Sequence, residues 1–170
     1  TADNAHVSSL NQAKPEDVTG RLTSLLGQLQ PQVVVTFDAN GGYGHPDHVA
    51  VHRYTTAAFA AYRSGRASPR LYYSTILRSL IRMWVSQAPE DSPFRQLDPE
   101  TMGSPDDSIT AQIDVSAYVE TKLKAMACHR TQIKQGGPFS EFPKEAVTHF
   151  LSTEHFVRAY PPFEGGEKQT

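Results

Sequence analysis

The sequence predicts an α/β fold in which helices cover a layered sheet of mostly parallel strands. Three neighbouring segments support this prediction. A helix is indicated over 15–29, where apolar residues recur at helical spacing after a proline and two acidic residues. The β-branched run Val33–Phe37 is typical of a buried parallel strand. A glycine turn and another helix follow it, and this alternation is characteristic of α/β proteins.

Further helices and strands are expected along the rest of the chain. Strands are predicted at 70–76, 109–115 and 155–160. Helices are predicted at 46–63, 77–85, 117–133 and 144–151, with Ser116 as the cap of the third. We expect a loop over 1–15 and a flexible tail over 164–170.

The composition narrows the class of protein. A chain of 170 residues with 38% hydrophobic and 20% charged residues fits one globular domain. A net charge of -2 without a basic stripe argues against a nucleic-acid partner. No apolar run approaches the roughly 18 residues that would span a membrane. A single cysteine, Cys128, excludes an internal disulfide and suits a reducing cytoplasm.

The segment NGGYGHPDHVAVH concentrates the residues that can carry chemistry. It holds His45, His48 and His52, three of the 7 histidines, together with Asp47. His48 and His52 are four residues apart and therefore share a helix face. One interpretation makes these residues ordinary helix-start groups. The interpretation we favour makes them zinc ligands or acid–base groups, because they follow a glycine turn at the carboxyl end of a strand, where α/β sheets bind ligands.

The run VVVTFDANGGYGHPDHVAVH resembles the LmbE-like, or PIG-L-type, zinc-dependent de-N-acetylases. It is especially similar to the bacterial branch that deacetylates N-acetylglucosaminyl conjugates on the way to mycothiol. The resemblance implies a Rossmann-like layered fold, with His48 as a zinc ligand. It also implies that His45 is the general acid and oxyanion-stabilising group, that Asp47 orients it, and that Tyr43 lies near the substrate carbonyl.

The resemblance is incomplete at one decisive place. The family's other two zinc ligands and its catalytic base come from an Ala-His-Pro-Asp-Asp-Glu motif, which this sequence lacks. The resemblance therefore implies that residues 1–170 are the C-terminal portion of one deacetylase domain without its N-terminal βα units. We expect this chain to be inactive in isolation and to need a segment or second chain carrying that motif. A homo-oligomer is compatible with the same sequence.

Several assignments stay open at this point. Substrate contacts are expected from the turn residues Asn40, Gly41 and Gly42, and, by resemblance, from His129 and Gln132. Asp38 could hold a histidine or simply form the turn, His52 could support the site or line the helix, and Cys128 is expected to be buried. Two other functions remain: a conjugate amidase that cleaves a larger acyl group, and a decayed module that only binds a sugar.

Overall fold

A computed structural model of the protein describes residues 5–63, 69–130, 142–166 and 168–169. The described strands are β1 (Val33–Phe37), β2 (Arg70–Thr75), β3 (Ala111–Asp114) and β4 (Thr153–Tyr160). The described α-helices are α1 (Pro15–Leu29), α2 (Gly41–Gly44), α3 (Pro46–Arg63), α4 (Arg78–Gln87), α5 (Val119–Ala127) and α6 (Lys144–Leu151). The first strand and helices α1 and α6 have the predicted bounds, and the predicted α/β class is confirmed.

The four described strands form one mixed sheet in the order β1-β2-β4-β3. β1 and β2 are parallel, with Val35 opposite Tyr72. The last strand, β4, lies between β2 and β3 and is antiparallel to both. The prediction of mostly parallel strands is therefore wrong for this sheet. The error arises because strand direction depends on which distant segments pair, and local residue patterns do not encode that choice.

Helices cover one face of the sheet. Phe59 and Tyr62 of α3 are buried against Leu71 of β2, and Val34 and Leu26 pack beside them. Burying a large apolar side chain contributes roughly 1.5–3 kcal/mol, so this cluster fixes α3 against the sheet. α1 packs against α3. Val18, Leu22 and Leu26 of its predicted apolar face are half-buried, whereas Leu25 and Leu29 of that face are 47% and 68% exposed.

The opposite face of the sheet is open among the described residues. Val33, Val35 and Ile113 are 49%, 51% and 40% exposed. Together with Tyr72 and Phe156 they line a pocket with a volume of about 550 Å³. The expected buried strand is therefore covered on one face only within the described structure. β1 is an edge strand, and only the face bearing Val34 and Thr36 is covered.

Two predictions in the C-terminal third also differ from the structure. The helix expected over 117–133 is α5, and a 3₁₀ turn at Ser116–Tyr118 precedes it, so Ser116 does not cap it. Cys128 is exposed rather than buried. The tail is tied to the sheet at Gln169, whose backbone bonds to Thr110 and Gln112 at 3.0 and 2.8 Å.

No helix in the described part of the chain is long and apolar enough to cross a membrane. The expected cytoplasmic location rests on the sequence and stays a prediction.

Candidate active site

The glycine turn after β1 is built around the carboxylate of Asp38. Its Oδ1 accepts hydrogen bonds from the backbone N–H groups of Asn40 and Gly42 at 3.0 and 2.9 Å. Its backbone carbonyl accepts a third bond from Gly41 N at 3.0 Å. Aspartate commonly bonds the backbone two residues ahead in this way. Of the two roles left open for Asp38, the structure shows the turn-forming one.

Gly41 lies where the turn touches the first residues of α3. Its φ is +63°, a left-handed conformation that glycine adopts without a side-chain clash. A Cβ at this position would lie 2.7 Å from both His48 Cβ and Val49 N. The buried glycine therefore permits the turn to approach the helix that carries the histidines.

His48 is held by the turn and by the strand. Its Nδ1 donates a hydrogen bond to the Gly41 carbonyl at 3.0 Å. Its ring stacks on Phe37, with 4.1 Å between ring centroids and 8° between planes. Because a carbonyl only accepts, Nδ1 carries the proton of the neutral ring. The lone pair of Nε2 is then free to bind an electrophile.

Two other predicted site residues, His45 and Tyr43, lie beside the His48 ring. The centroid of His45 lies 5.0 Å from that of His48, and the centroid of Tyr43 lies 5.1 Å from it. Tyr43 and His45 are 6.1 Å apart. Tyr43 is 61% exposed, so its side chain lies at the protein surface beside the two histidines.

His45 and Asp47 are linked through the backbone. The Asp47 N–H donates to His45 Nδ1 at 3.2 Å, which places the proton of the neutral His45 ring on Nε2. The carboxylate atom Asp47 Oδ1 is buried and has no hydrogen-bond partner among the described residues. A buried polar atom without a partner costs about 1–3 kcal/mol, so a group that donates a hydrogen bond to Asp47 Oδ1 would be favoured.

His52 ties the helix to the sheet. Its Nδ1 donates to the Phe37 carbonyl at 2.9 Å, and its ring meets the Tyr73 ring at 4.8 Å. The hydrogen bond joins α3 to the end of β1. Of the two roles left open for His52, this contact favours the structural one.

The remaining predicted residues are less closely grouped. The Asn40 side chain donates to the Thr101 carbonyl, so its amide is engaged by the loop after Asp98. His129 is exposed at the end of α5, and it has no side-chain contact with the cluster in the described part of the chain. Gln132 lies outside the described residues.

Sequence reasoning did not single out Phe37 and Thr101. Phe37 ends an apolar strand and Thr101 acts through its carbonyl. Neither feature has a sequence signal that distinguishes it from an ordinary strand or loop residue.

No group of three or more histidine, cysteine or acidic side chains is placed to bind a metal ion within the ranges that the structure describes. A catalytic zinc is usually held by three protein ligands. His48 has a free ring nitrogen, but these residues do not complete a metal centre.

The segment that carries these residues is similar to known proteins. The family model described as PIG-L, GlcNAc-PI de-N-acetylase, matches residues 4–59. This range includes the glycine turn, His45, His48 and His52. A deacetylase of Actinosynnema mirum is 35% identical over 99% of this chain. The segment that carries the HPDH motif thus matches the PIG-L family model. The resemblance read from the HPDH segment is thereby confirmed.

Three relatives of the chain have the same name. The proteins of Actinosynnema mirum, Saccharomonospora viridis and Thermobifida fusca are each named 1D-myo-inositol 2-acetamido-2-deoxy-alpha-D-glucopyranoside deacetylase. The latter two are 35% and 34% identical over 96% and 94% of the chain. The chain spans 61%, 61% and 59% of the lengths of these three relatives.

Proposed function

We propose that this chain is the C-terminal part of a zinc-dependent de-N-acetylase that acts on an N-acetylglucosaminyl conjugate. The observation that carries the proposal is the orientation of His48, whose Nδ1 is fixed by a carbonyl while Nε2 is free beside His45 and Tyr43. The names of the relatives support the substrate class, because they describe an acetamido sugar joined to inositol.

The chemistry of His48 fits a zinc ligand. Histidines that bind zinc nearly always donate their other ring N–H to a carbonyl or carboxylate, as His48 does to Gly41. When bound, zinc would polarise the acetyl carbonyl and lower the pKa of a water molecule. The other ligands and the base would come from an Ala-His-Pro-Asp-Asp-Glu segment.

The neighbouring side chains of this chain would position the substrate and handle protons. Tyr43, exposed beside the two histidines, would donate a hydrogen bond to the oxyanion that develops on the acetyl group. His45 would deliver a proton from Nε2 to the leaving amine. That role needs a second proton on Nδ1, and the unpartnered Asp47 Oδ1 is the candidate acceptor for it. The products would be acetate and a free amino sugar.

The partner in this proposal is the segment that carries the missing motif. β1 pairs only with β2 among the described strands, so its other edge has free backbone groups. The apolar side chains of Val33 and Val35 are about half exposed on the uncovered face. An exposed apolar edge favours pairing with another strand or aggregation. We infer that the segment adds a strand to β1 and places its ligands beside His48.

The test compares the 170-residue chain alone with the chain co-expressed with a polypeptide carrying Ala-His-Pro-Asp-Asp-Glu. The measurements are molecular size, thermal unfolding, zinc content and release of amine from the acetamido sugar named for the relatives. We expect a stable zinc complex and amine release only in the combined sample.

Two outcomes would contradict parts of this proposal. A cooperatively folding monomer that binds zinc and removes acetyl groups by itself would refute the divided site. A combined, zinc-loaded sample that leaves the acetamido sugar intact would refute the deacetylase assignment. Cleavage of a larger acyl amide by that sample would identify a conjugate amidase, and binding without cleavage would identify a sugar-binding module.

A further inference from the structure

The Gly41–Gly42 peptide unit connects Asp38 to His48. Its N–H belongs to Gly42 and donates to Asp38 Oδ1 at 2.9 Å. Its C=O belongs to Gly41 and accepts from His48 Nδ1 at 3.0 Å. In a trans peptide the N–H and C=O groups are coplanar and point in opposite directions. Holding the N–H towards Asp38 therefore aims the carbonyl at His48.

The N–H and the C=O of this peptide unit are each held by one of these two hydrogen bonds. It joins two glycines, both with positive φ, at +63° and +77°. Without a Cβ on either side, the orientation of the peptide depends on these two bonds and on the packing of Gly41 against α3. A rotation would turn the carbonyl away from His48 and remove the acceptor that keeps the proton on Nδ1.

The Asp38 carboxylate is itself anchored on both oxygens. Oδ1 also accepts from Asn40 N at 3.0 Å, and Oδ2 accepts from Thr75 Oγ1 at 3.4 Å. Thr75 is buried at the end of β2 and is 2.8 Å from Ser104 Oγ. The carboxylate thus joins the ends of two parallel strands to the turn. No hydrogen bond runs directly from Asp38 to a histidine among the described residues.

We propose that Asp38 is a positioning residue that sets the ring orientation and the Nδ1–H tautomer of His48 through the Gly41–Gly42 peptide. The consequence for zinc binding rests on the function proposed above, whereas the effect on the ring does not. The negative charge of the Asp38 carboxylate, which accepts from the Gly42 N–H, also polarises the Gly41 carbonyl and strengthens it as an acceptor. The Asp38 carboxylate therefore influences the His48 ring nitrogen through the peptide that both groups bond to.

The experiment measures the tautomer of His48 in the protein with its complementing segment and without zinc. Long-range ¹H–¹⁵N correlation spectra are recorded about two pH units above the ordinary histidine pKa of about 6.5. The His48 signals are assigned by their loss in His48→Gln. We expect a protonated Nδ1 and an unprotonated Nε2 in the unaltered protein, and loss of this single tautomer in Asp38→Ala.

Two variants control for general effects of the substitution. Asp38→Asn keeps an oxygen at Oδ1 for both turn bonds, so it should retain the tautomer. Asp114→Ala removes a similar aspartate bond, from Ser116 N to Asp114 Oδ1 at 2.8 Å, at the end of β3. It should leave His48 unchanged.

If Asp38→Ala does not unfold cooperatively, Asp38→Ser replaces that variant. The serine hydroxyl can accept one of the two turn bonds, so this variant should give a mixture of His48 tautomers.

An unchanged His48 spectrum in folded Asp38→Ala or Asp38→Ser would overturn the proposal, as would loss of the tautomer in Asp38→Asn. Zinc affinity then separates this proposal from the proposed function. We expect Asp38→Ala to weaken zinc binding by about 10–100-fold, the usual effect of removing a group behind a ligand. A changed tautomer with unchanged zinc affinity would support the positioning role of Asp38 and refute the assignment of His48 as a zinc ligand.

Discussion

His48 and His52 lie one helical turn apart on α3 and make the same kind of hydrogen bond. Each donates from Nδ1 to a backbone carbonyl, His48 to Gly41 in the turn and His52 to Phe37 in the strand. Their surroundings differ. His48 has His45 and Tyr43 beside it, whereas His52 meets Tyr73 of β2 between helix and sheet. The same kind of bond therefore orients one ring beside His45 and Tyr43 and links the other ring to the sheet.

The largest difference between the two histidines is expected in metal binding. His48→Gln should remove nearly all bound zinc and turnover from the assembled protein, because it removes a ligand nitrogen. His52→Gln should keep its zinc. Metal analysis after gel filtration provides the measurement. Equal zinc loss in both variants would show that His48 and His52 do not differ in metal binding.

The second difference separates binding from proton transfer inside the cluster. His45→Ala should reduce turnover by about 10² or more, the usual effect of losing an acid catalyst, with zinc content unchanged. Zinc loss equal to that of His48→Gln would instead make His45 a ligand.

A substitution in the turn should disturb His48 while leaving His52 in place. Gly41→Ala should lower the free energy of unfolding by about 2 kcal/mol, since it adds a left-handed strain of roughly 1–2 kcal/mol and a clash with the helix. Gly44→Ala is the matched control, because Gly44 has a φ of +83° with no neighbouring atom within 4 Å of the added Cβ.

Gly44→Ala should cost about 1 kcal/mol, for the backbone strain alone. Chemical denaturation gives both values, and the imidazole spectra report the two rings. Equal destabilisation by the two alanines would mean that contact with His48 Cβ is relieved at no cost.

The smallest expected effect concerns His52. Its replacement by glutamine should lower the free energy of unfolding by about 0.5–1.5 kcal/mol, the net contribution of one hydrogen bond. Substrate turnover should change little, because the ring of His52 contacts the Phe37 carbonyl and Tyr73 rather than His45 or Tyr43. Denaturant midpoints and initial rates measure the two quantities. A large fall in turnover at unchanged stability would move His52 into the site.

The sequence by itself determined the local features of this site. The β-branched run specified β1, and the glycines and Pro46 specified a turn followed by a helix. The four-residue spacing of His48 and His52 placed both rings on one helix face. These features depend on backbone preferences within a few residues, which is why they could be predicted.

Only the tertiary structure decided how those features are used. It placed β4 between β2 and β3, exposed Val33 and Val35, and left Cys128 at the surface. Asp38 and His52 acquired their roles in the same way, through the Gly41–Gly42 peptide and the Phe37 carbonyl. Strand order, burial and the choice of a free ring nitrogen depend on contacts between groups brought together by folding, and spacing along the chain does not specify them.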